Sequence, residues 1–223
     1  MSIAEITSCT SGLPLHACGA PAAGYQADEA AILALEFLAQ RYSVGPKYLT
    51  EPAPDLTALR KAVAVALRAP DHRSLRPFRF CVVPTSARPR LAELFAGNAA
   101  RRGHGADEVE RARERAWNGP ALIALIGRVG PNSQDVPESE QWVCLGAGLM
   151  NFLNALHLQG FGAKVLSGES VRDEFVRAAF CTAGETLVAW IVAGTPSKRS
   201  APKAEDDVDG AIAVWQFEPA LRA

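Results

Sequence analysis

Residues 67–78 read Leu-Arg-Ala-Pro-Asp-His-Arg-Ser-Leu-Arg-Pro-Phe and join two segments with different predicted structures. Before this stretch, Asp55 is a residue type favoured at helix N-caps. Apolar residues then recur at helical spacing, at Leu56, Leu59, Val63 and Leu67. Pro70 ends this helix, because proline lacks the N–H that a helix interior needs. After the stretch, residues 79–83 read as a short strand. The motif therefore lies on a helix-to-strand loop.

Further elements follow on both sides of this loop. Helices are predicted at residues 28–40, 91–95, 107–117 and 140–159, and Ser170 and Asp173 have capping-box spacing before a helix that ends near Phe180. Strands are predicted at 120–126 and 187–192, the latter closed by Gly-Thr-Pro, with an ordered loop at 131–140 and a last extended run at 211–217. Helices and strands intermix without a repeat, which indicates an α/β or α+β chain.

The segment 140–159 is apolar nearly all round, which predicts a fully buried helix. Gly146 and Gly148 would let another backbone approach it closely. Two interpretations remain open at this point. The helix lies either at a homodimer seam or at the centre of one monomer.

Bulk composition narrows the function classes. The chain has 223 residues, 48% hydrophobic residues and a formal net charge of −1. This balance argues against nucleic acid or an anionic membrane as the main partner, and no apolar run is long enough to predict a membrane span. Five cysteines without a C-x-x-C pair argue against a disulfide framework and a zinc ribbon, and no metal site is predicted.

The first 28 residues are rich in Ala, Ser, Gly and Pro, which predicts a mobile N-terminal extension before a domain at 29–223. The first basic residue is Arg41, so neither a secretory signal nor a mitochondrial transit peptide is indicated. We therefore expect a cytoplasmic protein.

Common nucleotide and hydrolase motifs do not fit. Gly160-Phe161-Gly162 begins like a dinucleotide fingerprint, but Val165 occupies the place of the third glycine. A helix also precedes it where a strand is required. The chain has neither a Walker A motif nor a G-x-S-x-G elbow.

Three stretches remain: Arg41-Tyr42-Ser43, residues 67–78, and Gly160-Phe161-Gly162 leading to Ser167-Gly168. In this order they resemble the nitroreductase family of FMN-dependent NAD(P)H oxidoreductases. The likeness is to the small branch with Ala-Pro-Asp-His-(Lys/Arg)-Ser, and it covers roughly residues 34–196.

The resemblance implies FMN-binding positions. Arg41 would bind the phosphate, since guanidinium forms charge-assisted bidentate bonds to it. The hydroxyl of Ser43 would add a contact. A second charge would come from Lys198 or Arg199. The remaining implied positions are Tyr42, Arg68, His72, Ser74, Val165, Leu166, Ser167 and Gly168.

Among these positions, Arg68 and His72 would contact the flavin ring, where a positive group favours the reduced form. Backbone N–H groups at Ser167 and Gly168 would reach its reactive edge. The branch has arginine at Tyr42 and Trp-Arg at Val165 and Leu166, so this chain lacks charges found there. The wider family has asparagine at Ser74 and tryptophan at Phe78. A weaker correspondence assigns nicotinamide contact to Ala155, Leu156, His157, Leu158, Gln159 and Gly160.

The resemblance also implies a fold and a reaction. The fold would be α+β, with a central, mostly antiparallel sheet flanked by helices, and a two-fold homodimer would share two FMN sites. Hydride would pass from NAD(P)H through flavin N5 to a nitroaromatic or quinone-like acceptor, in a ping-pong sequence. The alternatives are an aldehyde or enone acceptor on the same scaffold, and a flavin-binding protein without turnover.

Overall fold

The structure is a computed structural model that describes residues 28–131, 135–198 and 207–215. Contacts divide the chain into residues 1–37 and 38–223. The predicted mobile extension at 1–28 lies outside the described residues, except for Asp28, and so does the predicted FMN contact Arg199. The helix α1, Glu29–Ala39, begins in the first unit, and none of its residues is buried. Everything below concerns the second unit.

Five strands form one sheet in the described part of this unit. They are β1 Leu49–Thr50, β2 Phe78–Val83, β3 Ala121–Gly127, β4 Gly162–Leu166 and β5 Thr186–Pro196. The strand order is β1-β5-β3-β2, and β4 also pairs with β5. Each of these pairings is antiparallel. The predicted central antiparallel sheet is confirmed, and the class is α+β.

Helices cover both faces of this sheet. They are α2 Leu56–Ala66, α3 Arg88–Arg101, α4 Ala106–Glu114, α5 Glu138–Leu158 and α6 Glu174–Phe180. Alternate residues of β3 point to opposite faces, as the two-residue period of a strand requires. Leu122 packs in the core beneath α3, α4 and α6. Ile123 packs in the core beneath α2 and α5. The apolar run therefore became a strand that is buried on both faces.

Several predicted bounds differ from the structure. The helix predicted at 91–95 is the longer α3, and β4 was missed. β5 does not end before Gly-Thr-Pro but continues to Pro196, because β1 pairs with its last two residues. The last extended run, predicted at 211–217, is wrong at Ala211, which ends a 3-10 turn, whereas Ile212 is extended. Residues 212–215 pair with no strand, and residues 216–217 lie outside the described range.

The caps are partly as predicted. Asp55 accepts a hydrogen bond from Ala58 N and caps α2. The capping box at Ser170 is wrong, because a 3-10 turn covers Glu169–Arg172 and Asp173 is the N-cap of α6. Ser170 Oγ instead accepts a hydrogen bond from Trp190 Nε1 at 3.1 Å. The Ser170 hydroxyl therefore serves the Trp190 indole, which needs a partner when buried, and does not cap α6.

The helix α5 has one buried face and one exposed face in the single chain, so the prediction of a fully buried helix is wrong for this chain alone. Its exposed large apolar residues are Trp142, Val143, Met150 and Leu158. Gly148 makes room for the Phe78 ring rather than for a backbone: a Cβ there would lie 2.3 Å from Phe78 Cζ. Across the described residues, helices lack the combined length and hydropathy to cross a membrane.

Candidate functional site

The first and third motifs lie side by side. Ser43 forms a parallel bridge with Ala163 at the start of β4, and Val44 N donates to Ala163 O at 3.1 Å. Gly162 permits this approach, because a Cβ there would lie 2.7 Å from Val44 Cγ2 and 2.9 Å from Pro196 Cγ. The glycine that failed as part of a dinucleotide fingerprint is thus needed for close packing.

Lys198 joins the same region. Tyr42 Oη donates to the Lys198 carbonyl oxygen at 3.0 Å, and the Tyr42 ring packs against the core beneath α3. Arg41 is partly exposed next to this anchored tyrosine. The structure therefore brings Arg41, Tyr42, Ser43 and Lys198 to one end of the sheet.

A pocket of about 460 Å³ extends from this region to α3 and α4. The end of β4 and the residues after it form one wall, where all four predicted flavin contacts of the third motif lie: Val165, Leu166, Ser167 and Gly168. Pro46, which follows the first motif, also lines the pocket. The opposite side is mainly apolar and includes Phe95, Leu122 and Trp190. We call this cavity the sheet-end pocket.

Asn98 is a polar residue of this pocket that sequence reasoning missed. It lies on α3, is 6% exposed and lines the sheet-end pocket. Its carboxamide is therefore a polar group on the wall of a cavity, where it can bond to a ligand. The available signal was a lone asparagine within the run Ala-Gly-Asn-Ala-Ala.

The residues that line the sheet-end pocket and lie near it suit a flavin. An apolar, aromatic-lined cavity suits the body of a planar ring, and the Asn98 amide suits polar atoms on the edge of that ring. Arg41 and Lys198 provide the positive charge that a phosphate requires. The residues present therefore fit the FMN group that the resemblance implied.

Ion pairs brace the loop after the third motif. Arg101 Nη2 donates to both oxygens of Asp173, at 2.8 and 2.7 Å. Burial acts to raise the pKa of Asp173, but the bonds from Arg101 and Val176 N outweigh it and the pKa is lowered. Glu169 pairs with Arg102 Nε at 3.1 Å and His104 Nε2 at 3.2 Å. The end of α3 is thereby fastened to residues 169–173.

The second motif forms separate pockets. Arg68 and Ser74 line a polar pocket of about 350 Å³, together with Arg76 and Cys144. We call this cavity the arginine pocket. His72 instead lines a neighbouring groove of about 280 Å³, and its Nδ1 lies 2.8 Å from Glu140 Oε2 on α5. The structure therefore does not bring Arg68 and His72 into one pocket, and neither lines the sheet-end pocket.

The loop that carries this motif has unusual backbone geometry. Arg73, Ser74 and Arg76 have φ values of 60°, 53° and 50°, in the left-handed region that non-glycine residues rarely adopt. Such residues cluster at functional sites, where surrounding contacts hold them. Here the contacts come from Asp71, whose Oδ1 accepts from Leu75 N at 3.0 Å and whose Oδ2 accepts from Arg76 N at 2.8 Å.

The six positions matched weakly to nicotinamide contact lie at the end of α5 and just after it. Leu156 has no exposed surface and Ala155 is 6% exposed, since both belong to the core. Gln159 Nε2 donates to Ala155 O at 2.9 Å. Gly160 has a φ of 85°, which a glycine adopts readily at a helix end. His157, Leu158 and Gly160 keep exposed or partly exposed surface. Their role in nicotinamide contact stays a prediction.

Comparisons with known structures show the fold. The nitroreductase-like family protein of Bacillus cereus superposes with a TM-score of 0.67 at 18% identity, covering 88% of this chain and all of that one. The FMN and NADPH-dependent nitroreductase NfnB of Sphigopyxis sp. strain HMH superposes with a TM-score of 0.63 at 18% identity, covering 82% of this chain and 99% of that one.

Comparisons of sequence show the family. The chain is 31% identical over 168 residues to the Escherichia coli K12 protein named "Putative NAD(P)H nitroreductase YdjA", covering 75% of this chain and 90% of that protein. The family model described as the Nitroreductase family matches residues 38–195, which is most of the second unit and includes all three motifs. The chain therefore belongs to the nitroreductase family.

Proposed function

We propose that this chain passes hydride from NAD(P)H through FMN to a nitroaromatic or quinone-like acceptor, in a ping-pong sequence. Membership of the nitroreductase family makes the chain an NAD(P)H-dependent flavin oxidoreductase with FMN as its cofactor. When bound, FMN supplies the atom that accepts and returns hydride. The protein then has to bind, orient and shield, and it needs no nucleophilic side chain.

One observation carries the proposal: the first motif is bridged to β4, and the end of β4 forms the wall of the sheet-end pocket that Pro46 and Asn98 also line. In this proposal Arg41, Ser43 and Lys198 bind the phosphate. Bonds between a guanidinium and a phosphate are charge-assisted and therefore strong. The hydroxyl of Tyr42 holds the Lys198 backbone and so keeps this lysine beside the first motif.

The sheet-end pocket would hold the ring. Phe95 and Trp190 pack edge to face at 5.3 Å between centroids and exclude water from this side. The Asn98 amide would bond to a polar atom of the ring edge. The backbone N–H groups of Ser167 and Gly168 would face the part of the ring where charge develops. The ion pairs at Glu169 and Asp173 keep that loop in place.

The second motif would act across a homodimer interface. Arg68 and His72 lie in pockets apart from the sheet-end pocket, so one chain does not bring all the predicted flavin contacts together. The groove that holds His72 also contains Val143, which belongs to the exposed apolar face of α5 and is 66% exposed. A two-fold partner that covers this face would bring its own second motif to each site.

Leu166 favours a second candidate function, a flavin-binding protein without turnover. It lines the sheet-end pocket with an apolar side chain where the resembling branch has arginine. An apolar wall would stabilise negative charge on a reduced ring less well than a guanidinium. An aldehyde or enone acceptor on the same scaffold would use the same residues.

The test is a visible spectrum of the purified protein with FMN, followed by NADPH or NADH without oxygen. A bound flavin spectrum that bleaches on adding either nucleotide is expected, and menadione, a nitrofuran and an enone are then compared as oxidants of the reduced protein. Riboflavin, which lacks the phosphate, is the matched control ligand and should bind more weakly. Absence of FMN uptake would overturn the proposal, and bleaching without reoxidation by any acceptor would favour the binding-only function.

A further inference from the structure

The arginine pocket and the neighbouring His72 groove share one side chain. Asp71 lines both cavities, while Arg68 and Ser74 face the first and His72 faces the second. The carboxylate of Asp71 therefore lies in the wall that separates them. Which pocket each motif residue faces depends on the path of the chain around this wall.

That path is set by the two oxygens of Asp71. They accept from Leu75 N and Arg76 N, at 3.0 and 2.8 Å, and the Asp71 carbonyl accepts from Ser74 N at 3.1 Å. These three bonds close the turn through the left-handed residues Arg73, Ser74 and Arg76. Left-handed non-glycine residues persist only where neighbouring contacts over-determine them. Here those contacts converge on one residue, Asp71.

A thiol supports the carboxylate from the helix below. Cys144 on α5 is 3% exposed, and burial together with the adjacent Asp71 carboxylate raises the pKa of its thiol to about 11. The thiol is therefore protonated at neutral pH and available as a donor to Asp71. Asp71 and Cys144 both line the arginine pocket, so the turn lies beside α5, the same helix that holds His72 through Glu140.

We propose that Asp71 is a positioning residue of the flavin site: by closing the 71–76 turn beside Cys144, it fixes the orientation of His72 and Ser74 toward the cofactor. This inference rests on the proposed function, because those two residues act there as flavin contacts. Asp71 itself touches no reacting atom. Its effect reaches the flavin through His72, which lies within the turn and which the proposed function places at the ring.

The experiment uses the full chain and its variants Asp71→Asn and Asp71→Ala. Asparagine keeps the size and one acceptor oxygen, so this variant tests the bond pattern with little change in packing. Asp55→Ala is the matched control, because it removes another carboxylate that accepts a backbone N–H, at the start of the helix leading to the motif. Each protein is measured for FMN affinity, midpoint potential of bound FMN and urea unfolding.

Both Asp71 variants should raise the Kd for FMN by about tenfold, equivalent to about 1.4 kcal/mol. The midpoint potential of bound FMN should also fall, because the variants should weaken binding of reduced FMN more than binding of oxidised FMN. Each tenfold increase in the ratio of the two dissociation constants lowers the potential by about 30 mV. Asp55→Ala should lower stability and leave the Kd and the potential as in the wild type.

Three outcomes decide the matter. Weaker FMN binding and a lower potential in both Asp71 variants, but not in Asp55→Ala, support the inference. Asp71 variants that lose stability as Asp55→Ala does, yet keep the wild-type Kd and potential, overturn it and leave the proposed function standing. A wild-type chain that takes up no FMN overturns the proposed function and this inference with it.

Discussion

Arg79 and Glu185 form a bidentate ion pair, with Nε 2.8 Å from Oε1 and Nη2 2.6 Å from Oε2. The Glu185 side chain is only 4% exposed and also accepts from Arg128 Nε and Thr182 N, at 2.6 and 2.9 Å. This carboxylate connects β2, the end of β3 and the start of β5. The bonds from Arg79, above all, hold the pKa of Glu185 well below its usual range, although burial acts in the opposite direction.

A pH dependence of stability follows from this lowered pKa. A carboxylate with a depressed folded-state pKa stabilises the fold above its unfolded pKa of about 4.3 and loses that contribution as the pH falls toward the folded value. Glu185→Gln should lower the free energy of unfolding at pH 7 by about 1.5–3 kcal/mol, since it removes the charge of the buried acceptor that Arg79 and Arg128 share. Urea unfolding from pH 7 to pH 3 should show the gap to wild type narrowing below about pH 4.

The control for that experiment is Glu108→Gln, which removes a carboxylate from an exposed pair with Arg111. Exposed ion pairs contribute about 0–1 kcal/mol, so this variant should stay close to wild type at every pH. If the unfolding free energy of Glu185→Gln differed from wild type as little as that of Glu108→Gln, the structural role given to Glu185 would be contradicted.

The two glycines of α5 should respond oppositely to alanine. Gly148→Ala should destabilise the chain by about 1–3 kcal/mol, because the methyl group would overlap the Phe78 ring. Gly146 has open space around it, so Gly146→Ala should stabilise the helix by up to about 1 kcal/mol. Thermal and urea unfolding of both variants measure this, and equal effects would show that Phe78 moves aside without cost.

Arg41→Ala should weaken FMN binding by about 1.5–3 kcal/mol, the range for a bond to a charged group. The same variant should bind riboflavin as the wild type does, since riboflavin lacks the phosphate. Arg60→Ala, at an exposed position of α2, controls for the loss of one positive charge. Flavin fluorescence titrations provide the affinities, and unchanged FMN affinity in Arg41→Ala would assign the phosphate to other residues.

Asn98→Leu should separate stability from ligand binding. Leucine has a similar size, so the unfolding free energy of the apo chain should stay within about 1.5 kcal/mol of the wild-type value. FMN should bind less well, because the pocket loses its polar contact. A variant that loses stability in the apo chain would instead indicate that the amide already has a structural partner.

The sequence predicted elements best where local pattern and tertiary burial agree. The run that became β3 is apolar throughout, and Asp55 caps α2 as expected. β4 was missed because Lys164 interrupts its apolar pattern and its partner β5 is distant in sequence. Ser170 was misassigned as a cap because its true partner, Trp190, lies twenty residues away.

The candidate site was predictable only in its parts. The motif residues could be selected by resemblance, but no local pattern places Arg68 in one pocket and His72 in the next. That separation depends on Asp71, Cys144 and Glu140, which meet through tertiary packing. Asn98 was not selected because its significance lies in its position on the pocket wall, which a sequence does not display.

The eleven-residue strand β5 pairs with β1, β3 and β4, and this arrangement governs how the chain opens. Amide hydrogens along the middle of β5 can exchange with deuterated solvent only when neighbouring strands separate, which ties their exchange to global unfolding. The Arg41-Tyr42-Ser43 segment pairs with the sheet through one parallel bridge, from Ser43 to Ala163 of β4. Its backbone amides should therefore exchange sooner than those of β5, in local fluctuations that leave the strands on either side of β5 closed.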